Sequence, residues 1–276
     1  MTDTSENEKI EIDLLLEAIF RKHGYDFRNY SKAHVRRRIV HFFASSGLDN
    51  LSAMQHKVLT DPTFFGELLN TLSINVTEMF RDPSFFKAVR SEVAPLLLTY
   101  PFIRVWHAGC ATGEEVYSMA ILLAEENLLD RAQIYATDLS LKALEKAREG
   151  IIPVNEIKEY TGNYQKAGGK HSFADYYSAK YGLTKLNNSL KDKIVFADHN
   201  LVTDSAFGEM HLIVCRNVLI YFNRDLQNKI FKLMLDSLCP GGFLCLGSKE
   251  TLQFSEYADA FETVSGKEKI YRKKYQ

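Results

Sequence analysis

From Ile103 onward, short apolar runs alternate with segments of helical periodicity, and this alternation leaves few folds open. The runs IRVWHAGC, QIYATD, KIVFADHN, HLIVCRNVL and GGFLCLG read as strands, and the intervening GEEVYSMAILLAEEN, SLKALEKAREG and RDLQNKIFKLMLDSL as helices, the last ended by Pro240-Gly241. Strands that alternate with helices form right-handed βαβ units around a mostly parallel sheet. The end of the chain differs. FETVSGKEKIYRKK holds Ser265-Gly266 between two β-like runs, which predicts a terminal antiparallel hairpin. Residues 151–192 interrupt the alternation with a polar, tyrosine-rich insert containing Gly168-Gly169, within which KYGLTKLNNSLKDKIVF suggests two antiparallel strands.

The first third has another texture. After residues 1–9, which are polar and expected to be disordered, IDLLLEAIF, SKAHVRRRIVHFFASSG, LSAMQHKVL and PTFFGELLNTL show helical spacing without strand signals. Ser31 is a plausible N-cap and Gly47 a stop. The expected organisation is a small all-helical domain over 1–72, a connecting segment over 73–102 and an α/β domain over 103–276. An apolar fraction of 46% in 276 residues supports a sizeable core. With 34 basic and 35 acidic residues, whole-chain charge gives no reason to expect nucleic acid or lipid. No apolar run reaches the length of a membrane span, and the N-terminus is unlike a signal peptide. Cys110, Cys215, Cys239 and Cys245 form no CxxC pair and read as reduced thiols of a cytoplasmic protein, with no metal expected.

Ligands of open α/β sheets bind at the carboxyl ends of the strands. Gly109 and Gly113 stand at the end of the first strand, where glycine lets the backbone approach a ligand. The helix that follows opens with Glu114 and Glu115. Two carboxylates repel a pyrophosphate but suit a cationic ligand, and S-adenosylmethionine carries an ammonium and a sulfonium and no phosphate. The plainer alternative is that both merely complement the helix dipole. Asp138, ending the second strand, suits a ribose diol or an N-cap. The third ends ADHN, where an Asp, or an amide such as Asn200, suits contact with adenine. Arg216 and Asn217 are polar in an apolar run, which calls for a ligand or a satisfied network, whereas Tyr221 reads as readily as a core aromatic. The terminal hairpin favours the Rossmann-like S-adenosylmethionine-dependent methyltransferase fold over a dinucleotide-binding one.

Taken together, NVTEMFRD (75–82), GCATGEEVYS, ATDLS, KAREGII, CRNVLIYF and PGGFLCLGSKE resemble the CheR-type protein-glutamate O-methyltransferases of bacterial chemotaxis, over nearly the whole chain. The resemblance implies that Asn75, Thr77 and Arg81 reach the cofactor, alongside Gly109 of the glycine loop. Glu115 holds the methionine ammonium, Asp138 the ribose, and Asn200 and Leu201 the adenine side. Arg216 and Asn217 contribute from the loop after the fourth strand. Arg81 and Tyr221 flank the transferred methyl and the acceptor carboxylate. It further implies a chemoreceptor-like protein substrate, docked with help from the helical domain, and S-adenosylhomocysteine as product. Val116 stands where the family often has proline, and Gly247-Ser248-Lys249-Glu250 carries a lysine that looks inserted. In some members a small antiparallel subdomain at the position of the insert grips a receptor's C-terminal peptide. The basic residues Lys32, Arg36, Arg37 and Arg38 read either as a solvated face or as a docking surface for glutamate-bearing helices. Rival readings are another methyl acceptor, a regulatory module that only binds S-adenosylmethionine or its product, and a nicotinamide dehydrogenase. A monomer is the default.

Overall fold

The computed structural model describes residues 3–73, 75–180, 182–206 and 208–275. The chain divides into two compact units, 1–74 with 221–230, and 75–220 with 231–276.

In the first unit, α1 (Asp3–His23), α2 (Lys32–Ser46), α3 (Leu51–Thr60) and α4 (Pro62–Leu72) enclose Leu15, Ile19, Ile39, Met54, Val58 and Leu68, all buried. Local chemistry sets the helix ends. Asn50 caps α3 by accepting from the Ala53 N–H, and Asp61 caps α4 by accepting from Thr63 and Phe64. Gly47 ends α2 at φ 68°, a left-handed conformation that favours glycine. Ser31 stands at the N-cap of α2 without a side-chain capping bond. The expected disorder of residues 1–9 is corrected from Asp3 onward, because α1 begins there. Its second turn is tied to α2: Glu8 takes two hydrogen bonds from Arg36, at 2.8 and 3.1 Å. The segment 221–230 belongs here through backbone pairing. The Ser31 N–H donates to the Tyr221 carbonyl at 2.7 Å and the Asn223 N–H to the Asn29 carbonyl at 2.9 Å.

The second unit opens with α5 (Pro83–Ala88), a π-helical turn (Val89–Val93) and α6 (Ala94–Leu97). Phe80, Phe85, Phe86, Val89 and Leu97 of this segment are fully buried in the core that also holds Val105 and Ile121. The segment therefore packs as part of the α/β unit rather than as a spacer. There follow β1 (Ile103–Ala108), α7 (Glu114–Glu125), β2 (Ala132–Asp138) and α8 (Leu141–Glu149). The insert contributes β3 (Ile151–Ile152), α9 (Ile157–Lys166), β4 (Tyr177–Lys180), β5 (Leu183–Leu186) and α10 (Asn188–Lys191). Then come β6 (Ile194–Asp198), β7 (Met210–Cys215), α11 (Arg224–Ser237), β8 (Leu238–Leu246), β9 (Phe261–Ser265) and β10 (Ile270–Lys273).

The main sheet has the order β6-β2-β1-β7-β8-β10-β9. Pairs from β6 to β8 are parallel; β10 runs antiparallel to both β8 and β9, which forms the terminal hairpin. The carboxyl ends of β1, β2, β6 and β7 thus lie along one edge, with Ala108 beside Thr137 and Asp138 beside Asp198. Two local expectations change. The helix before Pro240-Gly241 already ends at Ser237, and the Pro-Gly pair lies inside β8, where the register to β7 shifts. Proline lacks the N–H of a regular ladder and is tolerated at such an irregularity. In the insert, the antiparallel pair is β4 with β5, earlier than expected, and β3 adds a third strand in the order β3-β5-β4. Two of the insert's tyrosines, Tyr164 and Tyr176, converge on one buried acid. Glu125 of α7 accepts from Tyr164 at 2.5 Å, from Tyr176 at 2.8 Å and from the Lys170 N–H at 3.0 Å, and pairs with Arg90. Among the described residues no helix is long and apolar enough to cross a membrane.

Candidate cofactor and methyl-transfer site

Three loops at the carboxyl edge of the sheet carry most of the expected site. The loop after β1 is built from its own backbone. The Gly109 and Cys110 N–H groups both donate to the Thr137 carbonyl at 2.9 Å, and the Gly113 N–H to the Cys110 carbonyl at 3.0 Å. Gly109 (φ 79°) and Gly113 (φ 93°) are left-handed. A Cβ on Gly109 would stand 2.6 Å from Cγ2 of Val218, and one on Gly113 2.9 Å from Cβ of Ala147. These glycines are therefore required by backbone conformation and by close packing of neighbouring segments, beyond any approach to a ligand.

Asp138 joins this loop to the next. Its carboxylate accepts the Ala111 N–H at 2.8 Å and the Ser140 N–H at 2.9 Å. The N-cap of α8 is Ser140, whose hydroxyl accepts from Ala143 at 3.2 Å. Asp138 is free of the capping task and braces the glycine loop. Burial pushes its carboxyl up, and the N–H donors of Ser140, Ala111 and Leu139 oppose the rise. Asn75 reaches the same place, donating from Nδ2 to the Ser140 hydroxyl at 3.5 Å.

Glu114 and Glu115, consecutive in sequence, have separate environments. Glu114 accepts from the Thr112 hydroxyl at 2.6 Å, and burial pushes its carboxyl up. Glu115 meets Arg216, whose Nη1 donates at 2.7 Å, while Nδ1 of His107 lies 3.4 Å from its other oxygen. Burial opposes ionisation of Glu115; the Arg216 guanidinium and then His107 outweigh it and hold the carboxyl below its usual range. Arg216 also donates from Nη2 to Asp82 at 2.6 Å and from Nη1 to the Arg81 carbonyl at 3.4 Å, and lies 4.0 Å over the Phe85 ring. Among the described residues, Nε of Arg216 and both ring nitrogens of His107 have no hydrogen-bond partner, although both side chains are almost completely buried. Orphaned buried polar groups of this kind call for a missing partner.

Asn217 follows at φ 61°, opening a turn anchored by Glu250. After β6, the Asn200 side chain accepts from the Val202 N–H at 3.0 Å, its own N–H donates to Asp204 at 2.8 Å, and Leu201 is buried. Thr77 and Arg81 are half-buried. Tyr221 lies in the other unit, with its ring 5.5 Å from that of His34. Asp82, His107 and Glu250 take part in these networks and were not singled out from the sequence. Asp82 stood in the NVTEMFRD block, and Glu250 at the end of GSKE. For His107, inside the strand IRVWHA, the sequence offered little signal.

The donor set suits S-adenosylmethionine. Glu115 would offer an ionised acceptor to an ammonium, Asp138 an acceptor at the strand end to a diol, and the orphaned Arg216 Nε a charged donor to a carboxylate. The family described as CheR methyltransferase, SAM binding domain, matches residues 75–270, and its all-alpha companion domain matches 10–73. A putative methyltransferase, Cher3, of Pseudomonas putida is 55% identical over 98% of this chain and 99% of its own length. Chemotaxis protein methyltransferases of Listeria monocytogenes and Escherichia coli are each 29% identical, over 83% and 87% of this chain and 85% and 84% of their own lengths. The chain belongs to the CheR methyltransferase family, as an S-adenosylmethionine-dependent enzyme with a parallel-sheet catalytic domain and an all-helical N-terminal domain.

Proposed function

We propose that this enzyme methylates glutamate side chains of a chemoreceptor-like signalling protein, giving methyl esters. The observation that carries the cofactor half of the reading is the buried Arg216–Glu115 pair at 2.7 Å, which keeps a carboxylate ionised at the first turn of α7. The acceptor half is supported by the relatives named as chemotaxis protein methyltransferases.

S-adenosylmethionine, when bound, supplies an electrophilic methyl on a sulfonium. Glu115 would hold its ammonium, Asp138 its ribose, Asn200 and Leu201 its adenine side, and Asn75, Thr77, Arg216 and Asn217 would complete the enclosure around the glycine loop. An acceptor glutamate is already ionised at neutral pH, so the chain need not remove a proton from it. His107, the histidine of this network, is 1% exposed and lies 3.4 Å from Glu115. Catalysis then rests on aligning the acceptor and excluding water from it. Arg81 would hold an acceptor oxygen by charge-assisted hydrogen bonds, and the Tyr221 hydroxyl would orient the reacting groups.

The test is transfer of a labelled methyl group to receptor fragments, with release of label by mild base as the signature of an ester. Arg81→Ala and Tyr221→Phe should each keep S-adenosylhomocysteine binding within about tenfold and lose on the order of 100-fold in methylation rate. Full rates in both variants would remove these two roles. Base-stable label would move the acceptor to another functional group.

The basic helix α2 is a narrower docking surface than its composition suggests. Arg36 is paired with Glu8 at 2.8 Å, and Nη1 of Arg38 donates to the Thr71 and Ser73 carbonyls at the end of α4. Lys32 is 83% exposed and 3.7 Å from Asp13, and Arg37 is exposed beside His34. Docking on acidic receptor helices is therefore assigned to Lys32 and Arg37. Lys32→Glu with Arg37→Glu should raise the KM for receptor about 3- to 10-fold at low salt and flatten its salt dependence. The same KM at every ionic strength would contradict docking through α2.

A further inference from the structure

Glu250 is 5% exposed and lies after β8, and its carboxylate is filled entirely by backbone donors. Oε1 accepts from the N–H groups of Val218 (2.8 Å), Leu219 (2.7 Å) and Ile220 (3.4 Å), and Oε2 from those of Asn217 (3.0 Å) and Gly247 (2.5 Å). Consecutive N–H groups that converge in this way form an anion nest, here occupied by the protein's own side chain. The nest forms because Glu250 turns back three residues after Gly247, with its N–H on the Gly247 carbonyl at 2.9 Å. The lysine that looks inserted in Gly-Ser-Lys-Glu leaves this spacing intact. Gly247 is required here: a Cβ would stand 2.8 Å from both the Asn217 nitrogen and the Glu250 carboxylate.

The turn held by this carboxylate is flanked by function. Arg216 precedes it, with its guanidinium on Glu115 and Asp82. Asn217 opens it in a left-handed conformation that is uncommon for a non-glycine residue and persists only where its surroundings impose it. Val218 fills the space that the absent Cβ of Gly109 leaves, so the turn also packs on the glycine loop. One carboxylate thus holds the turn after β7, and through Val218 that turn packs on the Gly109 loop. We infer that Glu250 is a positioning residue for cofactor binding, fixing the 217–220 turn so that Arg216, Asn217 and the Gly109 loop keep the geometry that S-adenosylmethionine requires. The inference rests on the reading that Arg216 and Asn217 contact the cofactor.

The experiment uses the full-length chain. Calorimetric titration with S-adenosylhomocysteine is combined with hydrogen exchange of the peptide covering 216–220, for wild type, Glu250→Gln and Glu250→Asp. Glu250→Gln keeps the shape but turns an NH2 toward N–H donors; Glu250→Asp keeps the charge and shortens the reach. Affinity should fall about 10- to 100-fold in Glu250→Gln and less in Glu250→Asp, with faster exchange over 217–220 in both. Tyr176→Phe, which removes a hydrogen bond to Glu125 elsewhere in the unit, controls for stability. It should lower the unfolding temperature without changing affinity. Wild-type affinity in Glu250→Gln would overturn the positioning role alone. A wild type without affinity for S-adenosylhomocysteine would overturn the cofactor reading, and this inference with it.

Discussion

Arg216→Ala is expected to abolish measurable S-adenosylhomocysteine binding and to lower stability by about 3–5 kcal/mol, the usual cost of removing one partner of a buried ion pair. The Arg216 side chain is 2% exposed and that of Glu115 16%, so loss of the guanidinium leaves Glu115 charged and out of water. The share from Asp82 is smaller, since its side chain is 41% exposed and water screens it. The cost should show as a drop of roughly 10 °C in the unfolding temperature. It should also carry a pH signature. In the wild type Glu115 is held below its usual range, so its contribution is present above the unfolded carboxylate value and fades as pH falls through the folded one. Without Arg216 the burial contribution dominates, the folded carboxyl takes up a proton more readily, and stability recovers as pH falls. The loss relative to wild type should therefore be smaller at pH 5 than at pH 7.5. Equal unfolding temperatures for variant and wild type at both pH values would mean that the pair contributes nothing to folding.

Asp138→Ala should weaken S-adenosylhomocysteine binding by more than about 100-fold, because it removes the acceptor proposed for the ribose and also the brace of the glycine loop. The Ala111 and Ser140 N–H groups, at 2.8 and 2.9 Å in the wild type, lose their acceptor, with a stability cost of about 1–3 kcal/mol. Asp138→Asn keeps one carbonyl oxygen and should fall between the two. Calorimetry on the three proteins, with thermal unfolding alongside, separates loss of a ligand contact from loss of the loop. An Asp138→Ala protein that folds and binds as the wild type does would exclude the residue from the site.

Both predictions concern residues that were conspicuous in the sequence because their chemistry conflicted with their surroundings: a charged pair at a helix start, an acid ending an apolar strand, Arg-Asn after another. What they do to each other was not legible. Glu114 and Glu115 look equivalent in sequence, yet one accepts from Thr112 and the other is paired with an arginine 101 residues away. Asp138 was weighed as an N-cap, a task that falls to Ser140 two positions later. Residues 1–9 look disordered by composition, but a helix begins at Asp3, and Glu8 is held by Arg36, 28 residues on. The Pro240-Gly241 stop marked a real irregularity, placed in β8 rather than at the helix end.

By itself, the sequence determined the layer architecture, the glycine loop and the resemblance to the CheR family. Periodicity and turn residues act locally, and the family's blocks are contiguous. Only the tertiary structure decided that residues 75–97 complete the core of the sheet, that the 221–230 segment belongs with the helices, that Arg38 caps α4 while Lys32 and Arg37 stay exposed, and that Glu250 holds the turn after β7. Each of these depends on which distant groups meet once the sheet order is set. A buried charge or N–H must find its partner in space, and nothing in its own neighbourhood along the chain names that partner.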